Sequence, residues 1–354
     1  MLPARQRDRQ RATGSGRAAT GNVRRIGAAT IRIGVLHDFP ASDGGKSFER
    51  NARRGLQAVV DSGRLAADVE FVHAFGLGLP LPGGSARNVE EAFAELRAHD
   101  VALVLGPAIS DNALIVRPLA DEHRLPCINY TGSDETRSEF MFQFQIGSLE
   151  DEPSFLAAHA AARGLRRATL LVDESYVGSR MAEFFADACA VSDVAIVERA
   201  DADVIVSLGM WDTAQSLARS APGLPVVANS ALIYGYHDPE AARLWEGWAF
   251  PDTISEHNPV YAALGDGGGP VGVGPGVAGQ FDLGRLAGEG LARAREHSGP
   301  GVLDGLERVK AIPTATGEPG TLMGFGRCER GALKGRYLVV RRWHDGRSES
   351  WNES

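Results

Sequence analysis

Gly44-Gly45-Lys46-Ser47 ends like a phosphate-binding loop, in which backbone N–H groups and a lysine cradle phosphates. That motif needs a glycine five positions before Gly45, where Pro40 stands, so phosphate chemistry fails on spacing. Gly272-Val273-Gly274-Pro275-Gly276 lacks the spacing of a dinucleotide fingerprint and opens from no strand. The nine histidines are scattered singly, with no HExxH and no pair spaced for one helix face, so no metal site is expected. Glu122-His123, Glu256-His257 and Glu296-His297 are neighbours whose side chains point apart on regular structure. No GxSxG elbow occurs. Catalysis gains no support, and no cofactor is expected.

Polar clusters at strand ends do better. Leu105-Gly106-Pro107-Ala108-Ile109-Ser110-Asp111 sits where a buried strand passes to a helix. In open α/β sheets ligands collect outside the carboxyl ends of strands, where helix N-termini offer N–H groups. Ser110 there reads as an N-cap and as a ligand contact, and capping alone explains it equally well. Asn129-Tyr130-Thr131-Gly132-Ser133 follows the next strand and should lie beside Ser110 at the same sheet edge.

The elements that position these clusters follow a regular rhythm. Ile31–Leu36, Val69–Val72, Val101–Leu105 and Pro126–Asn129 read as strands, separated by helices near Phe48–Val60, Asn88–Ala98 and Asn112–His123. After residue 150 the rhythm repeats, with strands at Ala168–Val172, Val194–Val197, Val204–Leu208 and Val226–Ala228. Continuous apolar strands between amphipathic helices signal parallel sheets covered on both faces. The expected fold class is α/β, with two Rossmann-like lobes. Phe140–Ile146 alternates, with Phe140, Phe142, Phe144 and Ile146 on one face, and Asp151-Glu152-Pro153 then opens a helix. The glycine-rich 265–276 segment reads as a loop, and Tyr337–Trp343 as a strand before a polar tail.

Charge narrows the function classes. Seven arginines against Asp8 give residues 1–30 a net +6, leaving 30 basic and 44 acidic side chains in the rest, a net of −14. An acidic body argues against nucleic acid as a partner, because that affinity comes from Lys and Arg neutralising phosphates. The basic stretch reads as a disordered leader by its Arg/Gln/Gly/Ser/Thr composition. A secretory signal needs an apolar run of about 7–15 residues after its positive charges. Here Arg24-Arg25 is followed by Ile26-Gly27-Ala28-Ala29-Thr30-Ile31, and Arg32 breaks the run. The chain as written is therefore expected in the cytoplasm, and outside it if the true N-terminus differs. Cys127, Cys189 and Cys328 have no CxxC spacing and an odd count, which suits no disulfide role.

The series IRIGVL, GLQAVVD, VALVLGPAISDNALIVRPLADEHRLPCINYTGS, RRATLLVDESYVGSRMAEFF and GFGRCERGALKGRYLVVRRWHDG resembles the branched-chain amino acid (leucine/isoleucine/valine) type of periplasmic solute-binding protein. The resemblance covers about residues 31–347 in the family's order. It implies two α/β lobes joined by three crossing segments, with a ligand trapped between them by hinge closure. The crossings then fall at 140–146, 265–276 and 324–336. Lobe one becomes 31–147 plus 276–324, and lobe two 148–275 plus 325–354.

The same resemblance implies site residues. Ser110 matches the ligand-binding serine, Thr131 a backbone contact and Ser133 a hydroxyl contact. Tyr176 or Val177 matches an aromatic from lobe two, with one residue of register left open, and Trp211 loosely matches a second. Asn129 and Tyr130 join the set by position. Ser230 stands where amino-acid binders commonly carry an acid, and Asp173 or Glu174 replaces it only in another register. A buried ammonium needs a carboxylate partner, so the expected ligand lacks an α-amino group: a carboxylate, an amide or a neutral aromatic compound. Trp211, Tyr234 and Tyr236 would suit its flat portion, or simply pack lobe two. The implied function is the non-enzymatic ligand-binding subunit of an ABC importer, with the permease as partner. A cytoplasmic sensor acting on a regulatory protein and an enzyme reusing the cleft are the alternatives.

Overall fold

A computed structural model describes residues 30–41, 43–265 and 274–351. The expected disordered stretch, apart from Thr30, and most of the glycine-rich crossing 265–276 lie outside the described residues. Strand β1 (Thr30–His37) is followed by α1 (Asp43–Asp61), β2 (Asp68–Phe75) and α2 (Ala86–Ala98). Next come β3 (Leu103–Leu105), α3 (Ser110–Glu122), β4 (Cys127–Asn129) and β5 (Met141–Gln143). The strands pair in parallel in the order β2-β1-β3-β4-β5. Parallel pairing requires crossover helices, which here cover both faces. Phe48 and Leu56 of α1 seal one face, and Val89 and Phe93 of α2 with Val116 of α3 seal the other. The apolar spacing read in α2 is the buried one: Val89, Ala92, Phe93 and Leu96. Ser85 starts that helix, its Oγ accepting the Asn88 N–H at 3.2 Å.

The second lobe repeats the scheme with α4 (Asp151–Ala162), β6 (Arg167–Val172), α5 (Tyr176–Ser192), β7 (Ala195–Ile196) and β8 (Val204–Leu208). Helix α6 (Trp211–Arg219), β9 (Val226–Ala228), α7 (Pro239–Leu244) and β10 (Ala249–Asp252) complete its central part. The chain returns to lobe one through α8 (Pro259–Ala262), α9 (Pro275–Arg293) and α10 (Gly299–Glu307). Three short antiparallel strands follow: β11 (Ile312–Pro313), β12 (Leu322–Met323) and β13 (Leu333–Lys334). Strands β14 (Val339–His344) and β15 (Arg347–Ser350) then join the second sheet, ordered β15-β14-β10-β9-β8-β6-β7. Between the two sheets the chain crosses three times: after β5, after β10 and after β13. Among the described residues no helix is long and apolar enough to cross a membrane.

Three details differ from the sequence expectation. Residues 325–334, expected in lobe two, pack with lobe one: Phe325, Ala332 and Leu333 lie in its core, and Gln143 accepts the Ala332 N–H while donating to Arg330 O. The third crossing therefore falls after Lys334. Second, 140–146 has no solvent face, because Met141 and Gln143 are as buried as Phe140, Phe142 and Phe144. Its neighbours β4 and 330–332 close both edges. Third, the polar tail is a strand: Asp345 and Gly346 both adopt positive φ (49° and 69°) and turn β14 into β15, as an Asp-Gly hairpin turn does.

Helices α1 and α9 approach at two glycines. A Cβ at Gly55 would lie 1.9 Å from the Phe281 carbonyl oxygen, and one at Gly284 would lie 1.8 Å from that of Ala52. At Gly288 the nearest atom is only a Val59 methyl, at 3.1 Å. Gly284→Ala should lower stability by about 1–3 kcal/mol through overpacking, despite alanine's better helix propensity. Gly288→Ala should cost clearly less. Thermal melts of the two variants decide it; equal melting temperatures would mean the helices separate freely.

Candidate functional site

Asp38 follows β1 and is nearly fully buried. Its carboxylate accepts the Ala108 N–H at 2.5 Å and the Asn112 side-chain N–H at 2.6 Å. Burial pushes its pKa up to about 7, against the pull of those hydrogen bonds. Asn112 passes the restraint on: its Oδ1 accepts the Leu79 N–H at 2.8 Å and its Nδ2 donates to Leu79 O at 3.1 Å. The approach is so close that a Cβ at Gly78 would sit 2.2 Å from Asn112 Nδ2. This pins the 76–84 loop and presents Pro80, Leu81 and Pro82 to the space between the lobes.

Ser110 is buried at the first turn of α3, but it is not the N-cap. Ile109 holds that position, and no side chain caps the helix there. The carboxylate that accepts N–H groups at this end of α3 is Asp38, and Asp111 lies in the helix's first turn. The other lobe-one residues separate into two groups. Asn129 and Thr131 are fully buried and bond to each other, Thr131 Oγ1 donating to Asn129 Oδ1 at 2.8 Å. Asn129 Nδ2 donates to Phe142 O and Thr136 Oγ1, so both side chains are spent inside the lobe. The half-buried Tyr130 stacks on Phe48 with centroids 5.5 Å apart. Ser133 alone of this cluster reaches across, its Oγ 3.3 Å from the Tyr176 hydroxyl.

Tyr176 opens α5, where Ser175 Oγ caps the helix by accepting the Gly178 N–H at 3.0 Å. Its hydroxyl donates to Glu135 at 3.0 Å, and Arg180, one turn on, donates to the same carboxylate at 2.8 Å. The Tyr176/Val177 ambiguity resolves geometrically: Tyr176 makes the inter-lobe contact, and Val177 packs on the lobe-two core. Trp211 begins α6 and stacks on Tyr234, centroids 4.9 Å apart and planes 11° from parallel. Tyr236 turns inward instead, against Trp343 and with its hydroxyl on Asp252. Asp173 holds the loops together by accepting the N–H groups of Ser175 (3.0 Å) and Met210 (2.6 Å).

Position 230 carries no acid, but a carboxylate lies behind it. Glu152, on α4, is fully buried and accepts the Ser230 N–H at 2.8 Å and the Ser148 N–H at 2.7 Å. Burial raises its pKa to about 7. This carboxylate comes from a helix 78 residues upstream and is spent on backbone N–H groups inside lobe two. Spacing could not show it.

A cavity of about 370 Å³ lies between the lobes, walled by Pro80–Pro82 on one side and by Asp173, Glu174, Trp211 and Asp212 on the other. Sequence reading also missed a histidine pair. His37 and His73, on adjacent strands, stack 5.2 Å apart and share a 2.9 Å hydrogen bond, with Glu49 3.1 Å beyond. Burial, then the neighbouring ring, lowers the His37 pKa to about 4. Among the described residues, Glu246, His344 and Asp345 alone cluster at metal-ligand distances. All three are exposed, with His344 Nδ1 2.8 Å from Glu246 and Nε2 3.8 Å from Asp345, and exposed acidic groups of this kind are common without an ion.

The arrangement of two sheets, three crossings and an inter-lobe cavity is the type I periplasmic-binding-protein fold. A substrate-binding protein of an ABC transporter from Desulfitobacterium hafniense, solved with leucine, matches with a TM-score of 0.75 at 17% identity, over 91% of this chain and 100% of that one. The branched-chain amino acid transporter substrate-binding protein of Streptococcus pneumoniae, solved with isoleucine, matches with 0.74 at 15% identity, over 91% and 98%. A solute-binding protein of an ABC transporter from Rhodopseudomonas palustris BisB5, solved with 3,4-dihydroxybenzoic acid, matches with 0.68 at 16% identity, over 88% and 93%. No protein-family model and no curated protein sequence matches the chain. At these identities the likeness shows the fold, which bears out the resemblance read in the sequence at that level.

Glu152 binds its proton more tightly in the folded chain than in the unfolded one. Its contribution to stability is therefore complete below about pH 4.5 and is lost as pH rises through about 7. The stability advantage of the native chain over Glu152→Gln should narrow by up to about 3 kcal/mol across that window. Urea unfolding of both proteins at pH 4.5 and pH 7 measures it, and an advantage that grows with pH would contradict the assignment.

Proposed function

We propose that this chain is a non-enzymatic small-molecule-binding protein that closes by hinge motion, works outside the cytoplasm and delivers its ligand to an ABC permease. The observation that carries this is the inter-lobe cavity, whose two walls come from different lobes. A ligand there touches both walls only when the lobes are together, so its binding energy favours the closed state. The contact already bridging the lobes, through Ser133, Glu135, Tyr176 and Arg180, is polar and partly solvated. Exposed ion pairs of this kind contribute little to holding the cleft side closed. The neighbours of this fold, solved with leucine, isoleucine and an aromatic acid, support a small organic ligand.

Native mass spectrometry of the freshly purified chain should show a bound species of small-molecule mass that is lost on unfolding and refolding. Tyr176→Phe removes the bridging hydroxyl and should weaken binding of that species by roughly two- to tenfold, the effect of one hydrogen bond of about 0.5–1.5 kcal/mol. A ligand-free protein that also fails to bind any fraction of a cell extract would sink the proposal.

A further inference from the structure

We propose that the cleft selects an organic cation with an apolar or aromatic body and no carboxylate group. This rests on the solute-binding reading above and names the ligand class of the same cavity.

Two features of the cavity and one of the neighbouring sheet edge agree. First, its lobe-two wall carries Asp173, Glu174 and Asp212 and no basic residue. Glu174 and Asp212 are exposed to the gap and have no basic partner among the described residues. Arg180, the cation at the inter-lobe contact, is already shared between Glu135 and Glu183. Second, the place where this architecture would hold an anion is taken. Before α3, the Ala108 N–H and the Asn112 side chain already donate to Asp38, so an arriving carboxylate would find these donors occupied. Of the hydroxyls expected to help, Thr131 donates inward to Asn129, while Ser133 lies against the Tyr176 hydroxyl and the Glu135 N–H. An anion desolvated here would have no countercharge, which is costly enough to exclude it.

Third, the rest of the lining suits an apolar cation. Trp211 lines the cavity while stacked on Tyr234, and a cation near a tryptophan face is attracted by the ring quadrupole. Pro80, Leu81 and Pro82 form a rigid apolar wall opposite, fixed by Asn112. The three acids do not converge at metal-ligand distance, so they suit a charge carried on an extended molecule rather than a bare ion. About 370 Å³ lies near the lower end of ordinary ligand sites and fits an arylalkylamine or branched alkylamine.

The test is calorimetry with matched probes, alongside small-angle scattering to follow closure. Phenethylamine, tryptamine and isoamylamine are compared with 3-phenylpropionate, indole-3-acetate and isocaproate, and with phenylalanine and leucine. The expected result is binding and compaction with amines, at least tenfold tighter than with the matched acids or amino acids. Glu174→Gln and Asp212→Asn, both at exposed positions, should each weaken amine binding about fivefold without shifting the melting temperature. Tighter binding of the acids or amino acids, with compaction, would overturn the cation inference and leave the solute-binding reading standing. Amine binding unaffected by both substitutions would also overturn it. Binding of no probe in any class, with no compaction, would count against both.

Discussion

Buried carboxylates that grip backbone N–H groups hold this structure's working edge together. Where a parallel strand ends, its loop leaves N–H groups that need partners, and an orphaned one costs about 1–3 kcal/mol. Asp38 supplies the Ala108 N–H, Asp173 those of Ser175 and Met210, and Glu152 those of Ser148 and Ser230. Asp282 does the same for Ala315 and Thr316 as the chain leaves β11, tying that segment to α9. Each carboxylate joins segments far apart in sequence at the cleft edge or beside a crossing. Burial raises the pKa of Asp38, Glu152 and Asp282. Part of the stability available from these bonds is thus offset by desolvation, in exchange for fixed loop geometry.

That geometry separates what moves from what does not. Within each lobe, sheet and helices are closed by apolar cores and by these acid clamps. Between the lobes, hydrogen bonds around Glu135 and Tyr176 meet at the cleft, while an apolar cluster of Ile254, Leu264, Ala278 and Ala315 and the bonds of Asn258 to Thr314 O and Gly317 O join them beside the crossings. Lobes joined by three crossings, with a packed hinge side and a polar cleft side, are the arrangement in which a ligand between them can shift a closure equilibrium.

Local pattern revealed the fold better than the site. Strands β1, β3, β4 and β8 were legible as apolar runs because both faces are buried, and α2 because its four apolar residues share one stripe. The β14–β15 hairpin was written in Asp345-Gly346, but its second strand is Arg347-Ser348-Glu349-Ser350, whose polarity hides it. Of the residues expected at the site, Ser133 and Tyr176 meet each other between the lobes and Trp211 lines the cavity. Asn129 and Thr131 turn inward because Phe142 O and Thr136 satisfy them there, which no one-dimensional pattern signals. Glu152 looked like a first-turn helix acid and His37 like a lone histidine. Their roles depend on Ser230 and His73, partners set only by tertiary pairing.

The central claim is that the two lobes change their separation when the cavity fills. A Cys328→Ser chain carrying spin labels at Glu90→Cys on α2 and Asp187→Cys on α5, both exposed positions, measures that separation directly. After unfolding and refolding to strip any bound molecule, double electron–electron resonance should show a broad distribution with a long component. Adding back the small-molecule fraction released on unfolding should collapse it to one shorter distance. A single distance, identical before and after, would contradict the account.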